Sequence, residues 1–309
     1  MANKILLQNT WLADGAGSPL RQADLLMEGN LIAEMGPGLE SGDAKQIDCQ
    51  GLVIAPGFID AHSHSDLQVL YNKPEKIRQG VTSEVVGNCG FSPYPNAHAG
   101  ELHEFGNGIL YGDGEWGWKS ASDYLLAIHE HAKLASVASL VGHGSLRIAH
   151  AGLTQGPVEE ATLAAMEGTL DDALAQGATG FSTGLMYAPG SSAPREELVR
   201  LCKVVAKRDK IYCTHMRDYS TNLLEALDEQ IDLARSAECK LQISHLQTVG
   251  RDNWKLNALA LERIESARNS GVDIMFDCYP YVAGSTVLTQ LLPQWALDGG
   301  IPKLSQHRA

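Results

Sequence analysis

The sequence predicts an α/β protein: a (β/α)8 TIM-type barrel that stops after its seventh strand, with part of a small β domain at the N-terminus. Three observations carry this. Seven short, almost continuously apolar runs alternate with amphipathic stretches from Leu52 onward, as buried parallel strands alternate with covering helices. No run is followed by GxGxxG or GxxxxGK[ST], the phosphate-cradling turns of the rival doubly wound sheet. Polar residues gather instead at the C-terminal ends of many runs, the rim where a barrel carries its site.

In chain order, residues 1–54 read as the small β domain and residues 55–309 as the barrel. The first part holds ILLQNTWLAD, ADLLMEGNLIAEMG and KQIDCQG, apolar runs separated by Gly- and Asn-containing turns. The barrel strands follow as LVIAPGFIDAH, VTSEVVGN, SVASLVGHG, TGFSTGLM, IYCTHM, LQISHL and DIMFDCYPY. Helical stretches lie between them: SASDYLLAIHEHAKL, PVEEATLAAMEGTLDDALAQG, PREELVRLCKVVAKR, TNLLEALDEQIDLARSA and LNALALERIESARNSG. The tail from Val282 reads as loop and short helix, so an eighth strand is missing. A seven-stranded barrel leaves its outer strands with unpaired apolar edges, which is an aggregation hazard. The expectation is therefore an incomplete chain.

Composition narrows the function. The 309 residues, 44% hydrophobic and 20% charged, suffice for a sizeable buried core. With 37 acidic against 24 basic side chains the formal charge is −13, which argues against the basic footprint that nucleic acid or an anionic membrane surface requires. No apolar run approaches the ~18–20 residues of a bilayer span, and MANKILLQNTWLADG lacks the order of a secretory leader. Cys49, Cys89, Cys202, Cys213, Cys239 and Cys278 show no paired spacing, so reduced thiols in the cytoplasm are expected. Nothing in the patterning specifies an oligomeric state.

The chemistry begins at GFIDAHSHSD. His62 and His64 are two apart at a strand end, so both imidazoles project from one face and can share a metal ion. Cys89, in VVGNCGFSP, ends the second strand. A free cysteine ordinarily behaves as a small buried apolar residue, but this one stands at the rim beside Gly87 and Gly90. His215 in IYCTHMRD and His245 in LQISHLQ end two further strands, so four histidines would meet at one barrel mouth. A thiolate among imidazoles selects Zn2+ over Mg2+ or Ca2+. Cys213 shares a face with His215 one layer deeper, where core packing is expected. HEHAK at 129–133 has the wrong spacing for a helical ligand pair and reads as solvated surface.

PGFIDAHSHSD, GNCGFSP, GHGSLR, STGLMYAPG, THMR, ISH and DCYPYVAGST follow one another along the chain. By this set the chain resembles the N-acyl-D-amino-acid deacylase (D-aminoacylase) group of the amidohydrolase superfamily. The resemblance implies a (β/α)8 barrel with a small β domain built from both chain ends. It implies hydrolysis of N-acyl-D-amino acids to a carboxylate and a D-amino acid. It also implies a tight zinc on Cys89, His215 and His245, and a second, weakly occupied position at His62 and His64 with Cys89 able to bridge. Tyr279 in CYPY matches a tyrosine that meets the substrate carboxylate. His143 and Arg147 in GHGSLR, and Tyr187 beside Met186, are further candidates for touching substrate.

Departures from the pattern shape two alternatives. The group carries a catalytic Asp in an SDG segment after the eighth strand. This chain contains no SDG, so the base is expected beyond Ala309, with Asp113 and Asp298 as lesser candidates. A non-catalytic zinc-binding fragment is accordingly the first alternative. The second is a hydantoinase-like cyclic amidase. Relatives of that kind resemble two-metal sites bridged by a modified lysine after the fourth strand, whereas STGLMYAPG holds no lysine. Finally, Leu246 and Gln247 stand where many members of the group have His-Lys, so the carboxylate clamp must differ.

Overall fold

The computed structural model describes residues 3–112, 116–292 and 294–297. Asp113 and Asp298 lie outside the described residues. The chain forms two compact units, Met1–Phe58 and Ile59–Ala309.

In the first unit, β1 (Lys4–Leu12) is the central strand. It pairs antiparallel with β2 (Arg21–Glu28), to which β3 (Leu31–Gly36) adds antiparallel. β4 (Lys45–Asp48) and β5 (Val53–Ile54) pair with β1 in parallel. Leu12, Ala23 and Leu25 form a small core with Leu7, Met27 and Ile54 against it. The run LVIAPGFIDAH, expected as one strand, is two. β5 ends at Ile54, and β6 (Phe58–Asp60) belongs to the other sheet. Pro56 has no N–H for a ladder, so the strand breaks around it.

The second sheet continues from β6 with β7 (Val81–Val86), β8 (Ser136–Gly142), β9 (Gly180–Gly184), β10 (Ile211–His215), β11 (Lys240–Ile243) and β12 (Ile274–Phe276). These seven are neighbours in the order in which they occur in the chain. From β7 to β12 every pairing is parallel. A doubly wound sheet reverses its order at a switch point; this one never reverses. Laid flat, its outer strands would stand about 29 Å apart, six spacings of ~4.8 Å. Yet His62, just past β6, meets Asp277, just past β12, with Nδ1 and Oδ1 3.1 Å apart. The sheet is curled as in a TIM-type barrel.

Among the described residues, seven α-helices accompany these strands: α1 (Ala99–Gly106), α2 (Ala121–His131), α3 (His143–Ala151), α4 (Glu160–Ala175), α5 (Arg195–Lys207), α6 (Leu223–Ala237) and α7 (Leu256–Asn269). α2 begins at a capping box in which Ser120 Oγ accepts from Asp123 N–H and the Asp123 carboxylate accepts from Ser120 N–H. α2 and α4 to α7 lie within the predicted helical stretches. α1 and α3 do not. In α3 every residue from His143 to Ile148 is buried, so no polar face sets up the alternation by which a helix is recognised. GHGSLR, whose first residues read in the sequence as the end of a strand, opens this helix at His143.

The main core joins Val141, Phe181, Leu241 and Ile274 of the strands to Met166, Leu170, Leu201 and Ile264 of the helices. Tyr212 points toward α6, where its hydroxyl donates to Gln230 Oε1 at 2.8 Å. Alternation therefore turns Cys213 and His215 to the barrel interior, and Cys213 is buried there. Among the described residues no helix is long and apolar enough to cross a membrane.

Candidate metal centre

Four strands deliver side chains to one cluster. His62 and His64 follow β6, Cys89 follows β7, His215 closes β10 and His245 follows β11. Cys89 Sγ lies 3.3 Å from His62 Nε2 and 3.5 Å from His245 Nε2. The His215 and His245 rings are 4.6 Å apart between centroids, His62 and His245 5.0 Å, and His62 and His64 5.5 Å. All five residues named from the sequence meet. The tightest group is His62, Cys89 and His245, whose ligand atoms all lie within 4.8 Å of one another.

The backbone is bent to achieve this. Cys89 has φ 54° and His245 φ 37°, in or near the left-handed region that L-residues seldom adopt. Gly87 and Gly90 flank the cysteine with φ 80° each. A Cβ on Gly87 would sit 2.2 Å from Leu140 O, and one on Gly90 2.8 Å from Gly184 N. Only glycine lets this turn pass so close to β8 and β9.

Burial would push the Cys89 thiol up, but the imidazoles of His62, His245 and His64 outweigh it and bring the thiol well below its ordinary value. Burial likewise opposes charge on His62, yet the Cys89 sulfur and Asp277 lift that imidazole to about 10. His215 is pushed down to about 4 by burial, against the pull of Cys89.

Asp277 is a residue that motif reading missed. Its Oδ1 meets His62 Nδ1 and accepts from His245 N–H at 2.6 Å, while Oδ2 accepts from Gln242 at 3.0 Å. One carboxylate thus orients two imidazole-bearing segments, as outer partners of metal ligands do. Tyr219 is another. Its ring stands 5.2 Å from that of His215 and 5.0 Å from that of His245, and its hydroxyl bonds Met216 N–H and Ser244 O. Asp277 opens DCYPYVAGST, a segment singled out for its tyrosine and not for its aspartate, and Tyr219 lies past the THMR motif.

The cluster opens into a cavity of about 570 Å³ walled by Met186, Tyr187, Asp218, Gln247, Tyr279 and Thr286 among others. Tyr279 donates its hydroxyl hydrogen to Gln247 Oε1. Tyr187 packs its ring 4.9 Å from that of His215 and pairs its hydroxyl with Thr286 Oγ1 at 3.0 Å. A smaller apolar recess of about 150 Å³, lined by Phe91, Phe105, Leu153 and Val287, shares Met186, Tyr187 and Gln290 with it. His143 and Arg147 are not among the cavity-lining residues. Both are buried on α3 and engage Glu197 of α5, at 2.8 Å from His143 Nε2 and 2.8–2.9 Å from Arg147 Nη1.

The donor set fits a zinc ion. Tetrahedral zinc with bonds near 2.3 Å to sulfur and 2.0–2.1 Å to nitrogen sets such ligands about 3.5 Å apart, against 3.3 and 3.5 Å here. The Nδ1 atoms of His64, His215 and His245 have no hydrogen-bond partner among the described residues; in His245 this is the ring nitrogen opposite the one that faces the sulfur.

Residues 45–290 match the model of the amidohydrolase family. The D-aminoacylase of Alcaligenes xylosoxydans xylosoxydans is 37% identical over 288 residues, covering 93% of this chain and 59% of that protein. A crystal structure of D-aminoacylase superposes with a TM-score of 0.84 at 36% identity, over 91% of this chain and 59% of the other. The N-acyl-D-glutamate deacylase of Bordetella bronchiseptica was solved with zinc and a phosphonate mimic of its tetrahedral intermediate. It gives 0.82 at 34% identity over the same shares. The chain spans about 59% of the length of these relatives.

Proposed function

The chain belongs to the amidohydrolase family, and from that premise we propose that it is a zinc-dependent hydrolase of N-acyl-D-amino acids. The observation that carries this is the meeting of Cys89 with His62, His64, His215 and His245 at the floor of one cavity. On the motif resemblance, and not on spacing, which sets His62 as close to Cys89 as His245, we assign Cys89, His215 and His245 to the tight zinc, and His62 and His64 with Cys89 to a weaker second position. Zinc bound here supplies a Lewis acid that polarises an amide carbonyl and lowers the pKa of water from near 16 toward ~7.

The chain's own residues do the rest. Asp277 holds His62 and the His245 backbone in register. Tyr187, against His215 and Thr286, forms the wall between the cavity and the apolar recess, which suits an apolar acyl or side-chain group. Gln247 and Tyr279 offer neutral hydrogen-bonding groups to a substrate carboxylate. Two carboxylates beside the cluster are already engaged, whereas Asp66, buried and close enough to His64 to feel its charge, is not held by another side chain. Asp277 is committed to His62, His245 and Gln242, and Asp218 to Ser220 and Asn222. The engagement of Asp277 and Asp218 is what a second reading rests on, in which these 309 residues hold zinc without turning substrate over.

One experiment addresses both. Zinc-loaded protein is assayed with N-acetyl-D-methionine, and its metal content is measured beside that of Cys89→Ala. Wild type is expected to hold one tight zinc, and the variant to lose it. Full zinc in Cys89→Ala sinks the metal centre. Tight zinc without turnover leaves the second reading standing and removes the first for this chain.

A further inference from the structure

One ammonium group outside the ligand set commands the whole His62–His64 segment. Lys76 Nζ donates to Asp60 Oδ2 at 2.8 Å, to Ser63 Oγ at 2.8 Å, and to Glu84 Oε2. Two of these acceptors each close a tight turn around the metal-facing residues. Asp60 Oδ1 accepts from His62 N–H at 3.2 Å, and Ser63 Oγ accepts from Ser65 N–H at 3.0 Å, bracketing His64. Ser63 N–H also donates to Val85 O of β7, and Ser63 Oγ donates to Glu84 Oε2 at 3.0 Å. Ser63, Ser65 and Glu84 are buried.

We propose that Lys76 is a positioning residue that sets the affinity of the weaker metal position, by fixing the two turns that present His62 and His64. This rests on the metal assignment proposed above. The competing use of the same lysine is to bind an anion in the adjoining recess, which is lined by His62, Ser63, His64, Lys76 and Tyr111. Its three protons already have three acceptors, two of them carboxylates, so little positive charge is left for a ligand. Cys89, His215 and His245 come from other strands and share no hydrogen bond with this lysine among the described residues. A defect at Lys76 should therefore divide the two metal positions rather than weaken both.

The test is calorimetric titration of chelator-stripped protein with Zn2+, with folding checked by circular dichroism. Wild type is expected to show a tight and a weak phase. Lys76→Met should weaken the weak phase by about 10–100-fold, with the tight phase moved by less than about threefold. Lys76→Arg, which keeps the charge and the donors, should recover the weak phase. If Lys76→Met fails to fold, Ser63→Ala decides: a smaller loss confined to the weak phase supports the proposal. Equal weakening of both phases, or no change in either, overturns it. Wild-type protein that takes up no zinc overturns the metal assignment itself, which is a different result from zinc uptake that ignores Lys76.

Discussion

Cys89 takes a conformation of φ 54° that costs on the order of 1–3 kcal/mol where surroundings do not enforce it. They do enforce it, through the two glycines beside it. Gly87→Ala would drive a methyl group to 2.2 Å from Leu140 O at a left-handed position. We expect it to destabilise the fold by about 1–3 kcal/mol in urea denaturation, and to displace Cys89 enough to reduce bound zinc. The thiol and the four histidines were legible in the sequence because each one ends or follows an apolar run, where a barrel points its reactive groups. Asp277 and Lys76 were not. A single Asp after a strand, or a single Lys in a polar loop, looks like any surface residue until a partner is known. The imidazole that Asp277 meets, that of His62, is 215 positions away.

Among the elements, α3 and α5 are locked by a buried ion cluster. Glu197 carries His143 and Arg147, and all three side chains are at most 1% exposed. Removing the carboxylate in Glu197→Ala leaves an unpaired buried charge and should cost about 3–5 kcal/mol. The pH dependence follows from the same contacts. Burial pushes Glu197 up, but His143 and Arg147 outweigh it and hold the carboxyl below its usual range. Its contribution is complete above the unfolded value of about 4.3 and is lost as pH falls through the lower folded value. His143 is pushed down mainly by burial. Below about pH 6.5 the unfolded chain takes up a proton that the folded one resists, so stability again falls with pH. Urea midpoints should therefore drop on acidification; midpoints that hold or rise between pH 7 and pH 4 would contradict this. Motif reading offered His143 and Arg147 as substrate contacts and missed α3, because a helix buried on every side shows no period. The five amphipathic helices posed no such difficulty.

At the scale of the molecule, the number and order of the barrel strands were legible from alternation alone, but the curl was not, because it is made by contacts between distant segments. The outer strands show apolar faces, with Ile59 69% and Met275 50% exposed. A ligand that binds only the curled form stabilises it by mass action, about 2.7 kcal/mol at a hundred times its dissociation constant. Zinc should raise the melting temperature, a chelator should reverse the gain, and Cys89→Ala should respond to neither. The contact between His62 and Asp277 has a further consequence, which concerns time. It closes a loop of more than two hundred residues, and such contacts form late because chain entropy opposes them until the intervening segments are ordered. Helices can form early and locally, whereas the two halves of the ligand set find each other only when the sheet between them is complete. In refolding from denaturant, zinc uptake should lag behind the recovery of helical signal, so that metal capture reports the end of folding rather than its beginning.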